Sequence, residues 1–191
     1  MLLSKNYIES QVCIALEEDL GKLGDITSQA TVPQNQKSSA KIKLKQDAVL
    51  CGIDFACLAF KLLDKKIKIS ARKKDGSYLK KGSTILKLHG NTQAILAAER
   101  TALNFLGLMS GIATKAKNYS KIAKKYGSEI YSTRKTIVGI RDLQKYALNI
   151  GGANINRMTL DDFFFIKDNH ISQSKDITKT IAQVKACLLY T

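Results

Sequence analysis

Residues 129–170 read EIYSTRKTIVGIRDLQKYALNIGGANINRMTLDDFFFIKDNH. Residues 129–133 (EIYST) and the apolar run 163–166 (FFFI) predict strands, whereas residues 142–149 and 176–188 have the spacing of helices. The continuous run 163–166 is typical of a strand that is covered on both faces. Strands that alternate with helices predict a parallel sheet, either open or closed into a barrel.

The stretch before residue 91 has another pattern. Apolar spacing predicts helices over residues 4–20 and 53–63, and strands over residues 40–45, 66–70 and 83–88. Together these elements predict a small α/β sandwich that ends near Gly90.

A long helical run joins the two halves of the chain. It begins at Asn91 or Thr92 and ends at Tyr126-Gly127. Gly107 and Ser110-Gly111 are expected to break it into two helices, since glycine weakens a helix interior. We therefore expect an α/β fold with an N-terminal sandwich and linking helix in residues 1–110. Residues 111–191 would form the first part of a TIM-like α/β barrel.

The last residues, 187–191, have the composition of a strand that begins and stops. Too few βα units precede them to close a barrel of about eight strands. The sequence is therefore expected to be truncated at its C-terminus, or frameshifted near it.

The charge of the chain is strongly positive, with a formal net charge of +15. A nucleic-acid binder is one interpretation. No basic stripe interleaved with aromatic residues occurs, so a lysine-rich solvated surface is favoured and no nucleic-acid partner is expected. A positive field also suits small polyanionic substrates.

Cysteine and histidine usage argues against a metal centre or a disulfide framework. The four cysteines lack C-x-x-C spacing, and the two histidines, His89 and His170, lie far apart in the chain. Reduced thiols, the lack of an apolar signal-peptide core and the lack of a membrane-length apolar run predict a cytoplasmic protein without a membrane partner.

The arginines point to a site for small anions. Four of the five arginines fall between Arg100 and Arg157. Arginine presents a rigid fork of donors that matches carboxylates and phosphates. Thr133-Arg134-Lys135-Thr136 and Lys167-Asp168-Asn169-His170 each follow a predicted strand, where sites lie in parallel α/β folds. The connection that enters the second strand carries Asn156-Arg157. The set suits a planar dicarboxylate, with or without a phosphate.

Each of these residues has a simpler interpretation. The cations could be solvated loop residues, and Glu99-Arg100 could be an exposed helical pair. Lys167, after a buried strand, could be a Schiff-base nucleophile with a lowered pKa, or Asp168 could keep it protonated. His170 and Asn169 could serve only the local structure, and Asp25, Thr27 and Ser28 could form a helix-capping turn.

The chain resembles the quinolinate phosphoribosyltransferase family. The matching segments are residues 15–21 (ALEEDLG), 24–27 (GDIT), 98–106 (AERTALNFL), 110–114 (SGIAT), 133–136 (TRKT), 145–147 (KYA), 151–152 (GG) and 166–171 (IKDNHI). They occur in the order and spacing of the family and span nearly the whole chain.

The resemblance implies transfer of a phosphoribosyl group to quinolinate with decarboxylation, which forms nicotinic acid mononucleotide, pyrophosphate and CO2 for NAD synthesis. It also implies a homodimer and Mg²⁺. Quinolinate would contact Thr133, Arg134, Lys135, Asn156, Arg157 and Lys167, with Lys135 and Lys167 as catalytic residues; Arg100 would enter the site of the partner subunit, and Glu99, Asp168, Asn169 and His170 would support the contacting residues.

The sequence departs from the family pattern in three places. Asn156 stands where the family usually has histidine, and Ile137-Val138-Gly139 lacks the family's proline. The acidic Mg²⁺ ligands and the glycine-rich phosphate loops of the family's second barrel half are not found, so this chain alone is expected to turn over poorly. A related transferase with another substrate and a non-catalytic remnant therefore stay open as alternatives.

Overall fold

The computed structural model describes residues 2–188, without the side chains of Ala71 and Leu188. The helices are α1 Lys5–Leu20, α2 Ile26–Thr31, α3 Ile53–Leu63, α4 Thr92–Lys125, α5 Arg141–Ile150, α6 Asp168–Ser174 and α7 Ile177–Leu188. The strands are β1 Lys37–Lys43, β2 Ala48–Val49, β3 Lys68–Arg72, β4 Tyr78–Leu79 and β5 Thr84–Asn91.

The predicted helix over residues 4–20 is confirmed, and its ends have local causes. The Ser4 hydroxyl accepts a hydrogen bond from the backbone N–H of Tyr7 at 3.1 Å, which satisfies a donor that the first helical turn leaves unpaired. Gly21, with a φ of +55°, ends the helix in a conformation that glycine adopts at little cost. Asp25 caps α2 in the same way, so the capping interpretation of that turn is confirmed.

The N-terminal sheet is antiparallel, in the order β1-β5-β3, and β2 pairs separately with β4. Along β5, Leu86 and Leu88 are buried, whereas Lys87 and His89 between them are exposed. Period-two burial of this kind gives the sheet one apolar face. The core also contains residues of α3 and α4; the rings of Phe55 and Phe105 stack with centroids 4.9 Å apart.

Helix α4 is continuous, so the predicted break at Gly107 and Ser110-Gly111 is wrong. Each glycine weakens a helix by about 1 kcal/mol. Burial of Leu106 and Met109 on the same helix outweighs that cost, since each fully buried side chain contributes about 1.5–3 kcal/mol. The Ser110 hydroxyl pairs with the backbone N–H and C=O of Cys51, which ties α4 to the segment before α3.

Two predicted strands of the second half are also absent from the described residues. At residues 129–133 only a parallel bridge forms, in which Ser132 N–H donates to the carbonyl of Asn154 and Asn154 N–H to that of Ile130. Residues 163–166 join no sheet, and Phe163, Phe164 and Phe165 are each exposed. An apolar run becomes a buried strand only where neighbouring strands and helices cover it, and no such neighbours pair with it within residues 2–188.

The chain forms two compact units, residues 1–155 and residues 156–191. The first contains all five strands, and the second contains α6 and α7. The predicted strand at the end of the chain is wrong for Cys187, which lies in α7. Residues 189–191 of that prediction lie outside the described residues. The predicted domain boundary near residue 110 stays a prediction.

Candidate active site

The segment Thr133–Thr136 directly follows the parallel bridge of the first unit. The Thr133 hydroxyl accepts from the backbone N–H of Lys135 at 3.2 Å, and this bond closes a tight turn. Thr133 and Lys135 are exposed and Arg134 is half-buried. The Nε atom of Arg134 is buried and makes no hydrogen bond within residues 2–188. A buried unpaired donor costs about 1–3 kcal/mol, so Arg134 is suited to an anion that would accept from it.

Helix α5 holds the far end of this segment. The side-chain carbonyl of Gln144 accepts from the backbone N–H of Ile137 at 2.7 Å. Arg141 Nε donates to the hydroxyl of Thr136 at 3.2 Å. Two side chains of one helix therefore fix consecutive residues just after Lys135.

Helix α5 is in turn hydrogen-bonded to the N-terminal elements. The Tyr146 hydroxyl donates to Oδ2 of Asp75 at 3.0 Å. Asp75 also accepts from the backbone N–H groups of Gly52 and Ile53, at 2.9 and 3.0 Å, where α3 begins. Burial and, to a lesser extent, the charge of Asp75 raise the pKa of Tyr146, so the phenol stays a donor at neutral pH.

Sequence reasoning assigned no role to Asp75, Gln144 or Tyr146. Asp75-Gly76 has the pattern of a simple turn, and Lys145-Tyr146-Ala147 contributed only to the resemblance. Lys145 is fully buried in α5. One feature of the sequence could have indicated a role for these residues. A lysine and a tyrosine occupy adjacent positions of a helix whose other inward residues, Leu143 and Ala147, are apolar.

Arg100 and Glu99 lie next to each other on α4, and both are exposed. The neighbouring Thr101 is buried, and its hydroxyl lies 3.4 Å from Oδ2 of Asp19. Arg100 therefore projects from a helix that is anchored through the next residue. Such an arginine is accessible to a partner, and the predicted role of Arg100 in another subunit stays a prediction.

In the second unit, Arg157 is held by local contacts. Its Nε donates to the carbonyl of Thr159 at 2.8 Å, and Nη2 donates to the carbonyl of Leu160. The guanidinium carbon lies 5.6 Å from the ring centroid of Phe163, at cation–π distance. Asn156, which precedes it, is exposed.

The turn after Arg157 is closed by Asp162. Its carboxylate accepts from the backbone N–H groups of Met158 and Thr159 and from the Thr159 hydroxyl. The hydroxyl bond from Thr159, followed by the two backbone bonds, lowers the pKa of Asp162. The turn keeps Arg157 beside Phe163.

Lys167 is exposed, and this contradicts the expectation that it is buried at the end of a covered strand. Its Nζ lies 5.3 Å from the ring centroid of Phe165. The Schiff-base hypothesis required burial to lower the lysine pKa, so the structure does not favour it.

The residues after Lys167 begin α6, a helix that the sequence patterns did not predict. His170 Nδ1 accepts from the backbone N–H of Lys167 at 2.9 Å. The Asn169 carbonyl accepts from the hydroxyl of Ser172 at 2.9 Å, and Asp168 is the first residue of the helix. The His170 side chain thus contacts the backbone of Lys167, and its supporting role stays a prediction.

The predicted site residues fall into two sets, one in each unit. The first unit holds Arg100, Thr133, Arg134 and Lys135, and the second holds Asn156, Arg157 and Lys167. Each set offers cations beside hydroxyl or amide donors, which is the chemistry that a dianion requires.

Within residues 2–188, no cluster of His, Cys, Asp or Glu side chains has the arrangement of metal ligands. The resemblance assigns the acidic Mg²⁺ ligands to the family's second barrel half, so the Mg²⁺ site stays a prediction. No helix of the same residues has the length and apolar character that crossing a membrane requires.

Comparison with protein families identifies both halves of the chain. Residues 25–110 match the N-terminal domain of quinolinate phosphoribosyl transferase, and residues 112–190 match its C-terminal domain. Tobacco quinolinate phosphoribosyltransferase [decarboxylating] 2b, mitochondrial, is 40% identical over 171 residues, which is 90% of this chain and 48% of the tobacco protein. A probable nicotinate-nucleotide pyrophosphorylase [carboxylating] of Synechocystis is 34% identical over 92% of this chain and 59% of its own length.

Solved structures agree. NadC from Streptococcus pyogenes superposes with a TM-score of 0.91 at 31% identity, over 96% of this chain and 66% of that one. The nicotinate-nucleotide pyrophosphorylase from Francisella tularensis gives a TM-score of 0.91 at 35% identity, over 97% of this chain and 65% of that one. The predicted α/β fold class is thereby confirmed.

The chain spans about half the length of the curated relatives that it matches. The family matches cover the segments that hold Arg100, Arg134, Arg157 and Lys167. This chain belongs to the quinolinate phosphoribosyltransferase family.

Proposed function

We propose that this chain serves phosphoribosyl transfer to quinolinate with decarboxylation, which yields nicotinic acid mononucleotide, pyrophosphate and CO2 for NAD synthesis. The observation that carries the proposal is Arg134. It lies in the family's Thr-Arg-Lys-Thr segment, and its buried Nε makes no hydrogen bond within residues 2–188. A substrate carboxylate would supply the missing acceptor.

The proposed roles follow from charge. Arg134, Lys135 and Thr133 supply positive charge and a hydroxyl donor for the carboxylates of quinolinate. The family resemblance assigns Arg157, Lys167 and Asn156 to the same substrate. Neutralisation and orientation turn the ring nitrogen toward C1 of the sugar, which lowers the barrier by positioning. Lys135 and Lys167 are the proposed catalytic residues.

The two chemical stages, transfer of the phosphoribosyl group and decarboxylation, are assisted by different groups. Pyrophosphate departs as the bond from the ring nitrogen to C1 forms. Positive side chains stabilise the negative charge that develops on the departing pyrophosphate. When the adjacent C–CO2 bond then breaks, its electron pair stays on the ring carbon beside the positively charged nitrogen, CO2 leaves, and a proton takes its place on that carbon. When bound, Mg²⁺ would offset charge on the pyrophosphate, whereas binding and orientation of quinolinate depend on the cations of the chain itself.

The active unit in this proposal is a homodimer in which Arg100 enters the partner's site. The exposure of Arg100 on α4 supports it, since a side chain in that position is accessible to a second copy. The substrates are quinolinate and phosphoribosyl pyrophosphate. A cytoplasmic location stays a prediction of the sequence alone.

The experiment is a calorimetric titration of the 191-residue chain with quinolinate, with nicotinate as the matched ligand that lacks the 2-carboxylate. Measurable quinolinate binding with much weaker nicotinate binding is expected, because the loss of one charge-assisted contact costs about 1.5–3 kcal/mol. Equal binding of both ligands, or of neither, would overturn the proposed substrate.

A second candidate is transfer to another acid, and Asn156 is the observation that favours it. Asparagine donates hydrogen bonds but carries no charge, so a substrate with one fewer anionic group would fit. Binding of a pyridine monocarboxylate more tightly than quinolinate would establish this candidate. Release of CO2 from carboxyl-labelled quinolinate, measured with phosphoribosyl pyrophosphate and Mg²⁺, reports turnover directly.

A further inference from the structure

The segment between the parallel bridge and α5, residues 133–140, depends on side chains for its shape. One backbone hydrogen bond joins two of its residues, from Thr136 N–H to the carbonyl of Arg134 at 3.0 Å. Side chains supply the Thr133–Lys135 turn and the two bonds from α5, through Gln144 and Arg141. A loop with so little backbone pairing takes its conformation from what anchors it.

The Gln144 contact is the shorter of the two bonds from α5. Its acceptor oxygen lies 2.7 Å from the backbone nitrogen of Ile137. The bond fixes a backbone position three residues after Arg134, whereas Ile137 itself and Val138 are exposed and contribute little packing. Loss of this acceptor therefore frees the loop without opening the core.

Helix α5 is itself positioned by hydrogen bonds to the N-terminal elements. Tyr146 donates to Asp75, which also accepts two backbone N–H groups at the start of α3. Leu143 N–H donates to the hydroxyl of Tyr7 on α1 at 3.3 Å. A continuous set of hydrogen bonds therefore connects the N-terminal sandwich to the loop that carries Arg134.

These hydrogen bonds would hold Arg134 in place. Its buried Nε makes no hydrogen bond within residues 2–188, which is costly without an acceptor, and a mobile loop would let the guanidinium turn into solvent. Preorganised donors bind an anion more tightly because less freedom is lost on binding.

We infer that Gln144 and Tyr146 are positioning residues for anion recognition by Arg134, in an inference that rests on the proposed function. Gln144 holds the loop on α5, and Tyr146 holds α5 on Asp75. Neither side chain contacts the substrate in this arrangement.

The test compares two substitutions of similar size at one position. Gln144→Met removes the acceptor and keeps the length of the side chain, whereas Gln144→Glu keeps an acceptor. In the ligand-free protein, amide exchange at Ile137 is expected to rise at least several-fold in Gln144→Met and to stay protected in Gln144→Glu. The dissociation constant of quinolinate is expected to rise roughly 2- to 10-fold in Gln144→Met.

Tyr146→Phe tests the second link, with Tyr119→Phe as its matched control. Tyr119 is an exposed tyrosine on α4. Tyr146→Phe is expected to weaken quinolinate binding roughly 2- to 10-fold, and Tyr119→Phe is expected to leave it unchanged. Thermal unfolding midpoints separate loss of positioning from loss of fold: Gln144→Met should unfold at the temperature of the wild type.

The outcomes are distinguishable. If the wild type binds quinolinate and the Gln144→Met and Tyr146→Phe variants bind it equally well, the positioning inference is overturned and the proposed function stands. If Gln144→Met changes binding without raising Ile137 exchange, the inference is also overturned. If the wild type binds no quinolinate, the proposed function fails and the inference falls with it.

Discussion

At the scale of single residues, the chain places its rare arginines in three different environments. Arg134 has a buried Nε without an acceptor within residues 2–188, and Arg157 is bound to backbone carbonyls and a ring. Arg72 forms an exposed ion pair with Asp54, of a kind that contributes about 0–1 kcal/mol. Arginine therefore occurs in a buried position, in a turn and in an exposed ion pair, and the role of Arg134 in recognition stays a prediction.

Arg134→Ala is expected to weaken quinolinate binding by roughly 10- to 100-fold, because a charge-assisted hydrogen bond contributes about 1.5–3 kcal/mol. Calorimetry measures the effect. Arg134→Lys keeps the charge but not the fork of donors, and intermediate affinity is expected. Arg72→Ala is the control for loss of one positive charge. Unchanged affinity in Arg134→Ala would show that this arginine is structural.

The buried thiol of Cys57 should make the free energy of unfolding depend on pH in the alkaline range. Burial raises the pKa of Cys57 from its ordinary 9.0 to about 11. Its folded pKa lies above its unfolded pKa, so the unfolded state loses the proton first and stability falls as pH rises from about 9 to about 11. From pH 8 to pH 10 this thiol should lower the free energy of unfolding by about 1 kcal/mol.

Urea unfolding of the wild type and of Cys57→Ala at pH 8 and pH 10 measures this dependence. The decrease in unfolding free energy is expected to be smaller in Cys57→Ala. Cys187→Ala, in which an exposed thiol is removed, should behave as the wild type does. Identical decreases in all three proteins would show that Cys57 does not titrate in this range.

At the scale of elements, two helices pack so closely that one glycine is required. A Cβ atom added to Gly151, at the end of α5, would lie 2.3 Å from the carbonyl oxygen of Ala113 and 2.6 Å from Cβ of Ala116 on α4. Gly107 and Gly111 on α4 have no atom within 4 Å of such a Cβ. Glycine is therefore a packing residue at one position and a dispensable one at the others.

Gly107→Ala and Gly151→Ala are expected to change stability in opposite directions. Alanine at 107 should raise the free energy of unfolding by roughly 0.5–1 kcal/mol, because α4 is helical there and the added methyl group meets no neighbour. Alanine at 151 should lower it by roughly 1–3 kcal/mol through overpacking. Chemical denaturation measures both. Destabilisation by Gly107→Ala would indicate that α4 bends or breaks at this position.

At the scale of the whole molecule, two properties bear on the proposed anion site: the net charge of the chain and its proposed association with a second copy. The net charge of +15 attracts small polyanions over a distance that salt shortens. Arg100 is exposed on α4, and its proposed target lies in a second copy.

A mixture of Arg100→Ala and Lys167→Ala chains tests the proposed sharing of sites. Each variant alone is expected to bind quinolinate weakly. A heterodimer should recover one intact site, formed by Arg100 of one chain and Lys167 of the other, so titration should return about half of the wild-type sites. Sedimentation verifies that the dimer forms. No recovery in a verified heterodimer would place Arg100 outside the partner's site.

Local patterns of the sequence predicted the main elements of the first half of the fold, which are α1, α3, β1, β3 and β5, but not the short α2, β2 and β4. The Ser4 cap and Gly21 bound α1, and the alternation in residues 40–45 marks β1, because these signals act over a few residues. The resemblance likewise needed only the order of short motifs, and it correctly selected the family.

Only the tertiary structure decided the features that depend on residues far away in the sequence. Gly107 and Gly111 were expected to break α4, but burial of Leu106 and Met109 keeps the helix continuous. The apolar residues 163–166 were expected to form a covered strand, but a strand needs neighbours that pair with it.

The distance between partners in the sequence also explains which site residues could be predicted and which could not. Arg134 and Lys135 were predicted from the Thr-Arg-Lys-Thr segment, which is a local pattern, although only a parallel bridge precedes it. The roles of Gln144 and Tyr146 rest on bonds to Ile137 and Asp75, 7 and 71 positions away. The sequence by itself determined the order of the side chains along the chain. Only the tertiary structure decided which of them form hydrogen bonds with each other, because these bonds join elements that lie far apart in the sequence.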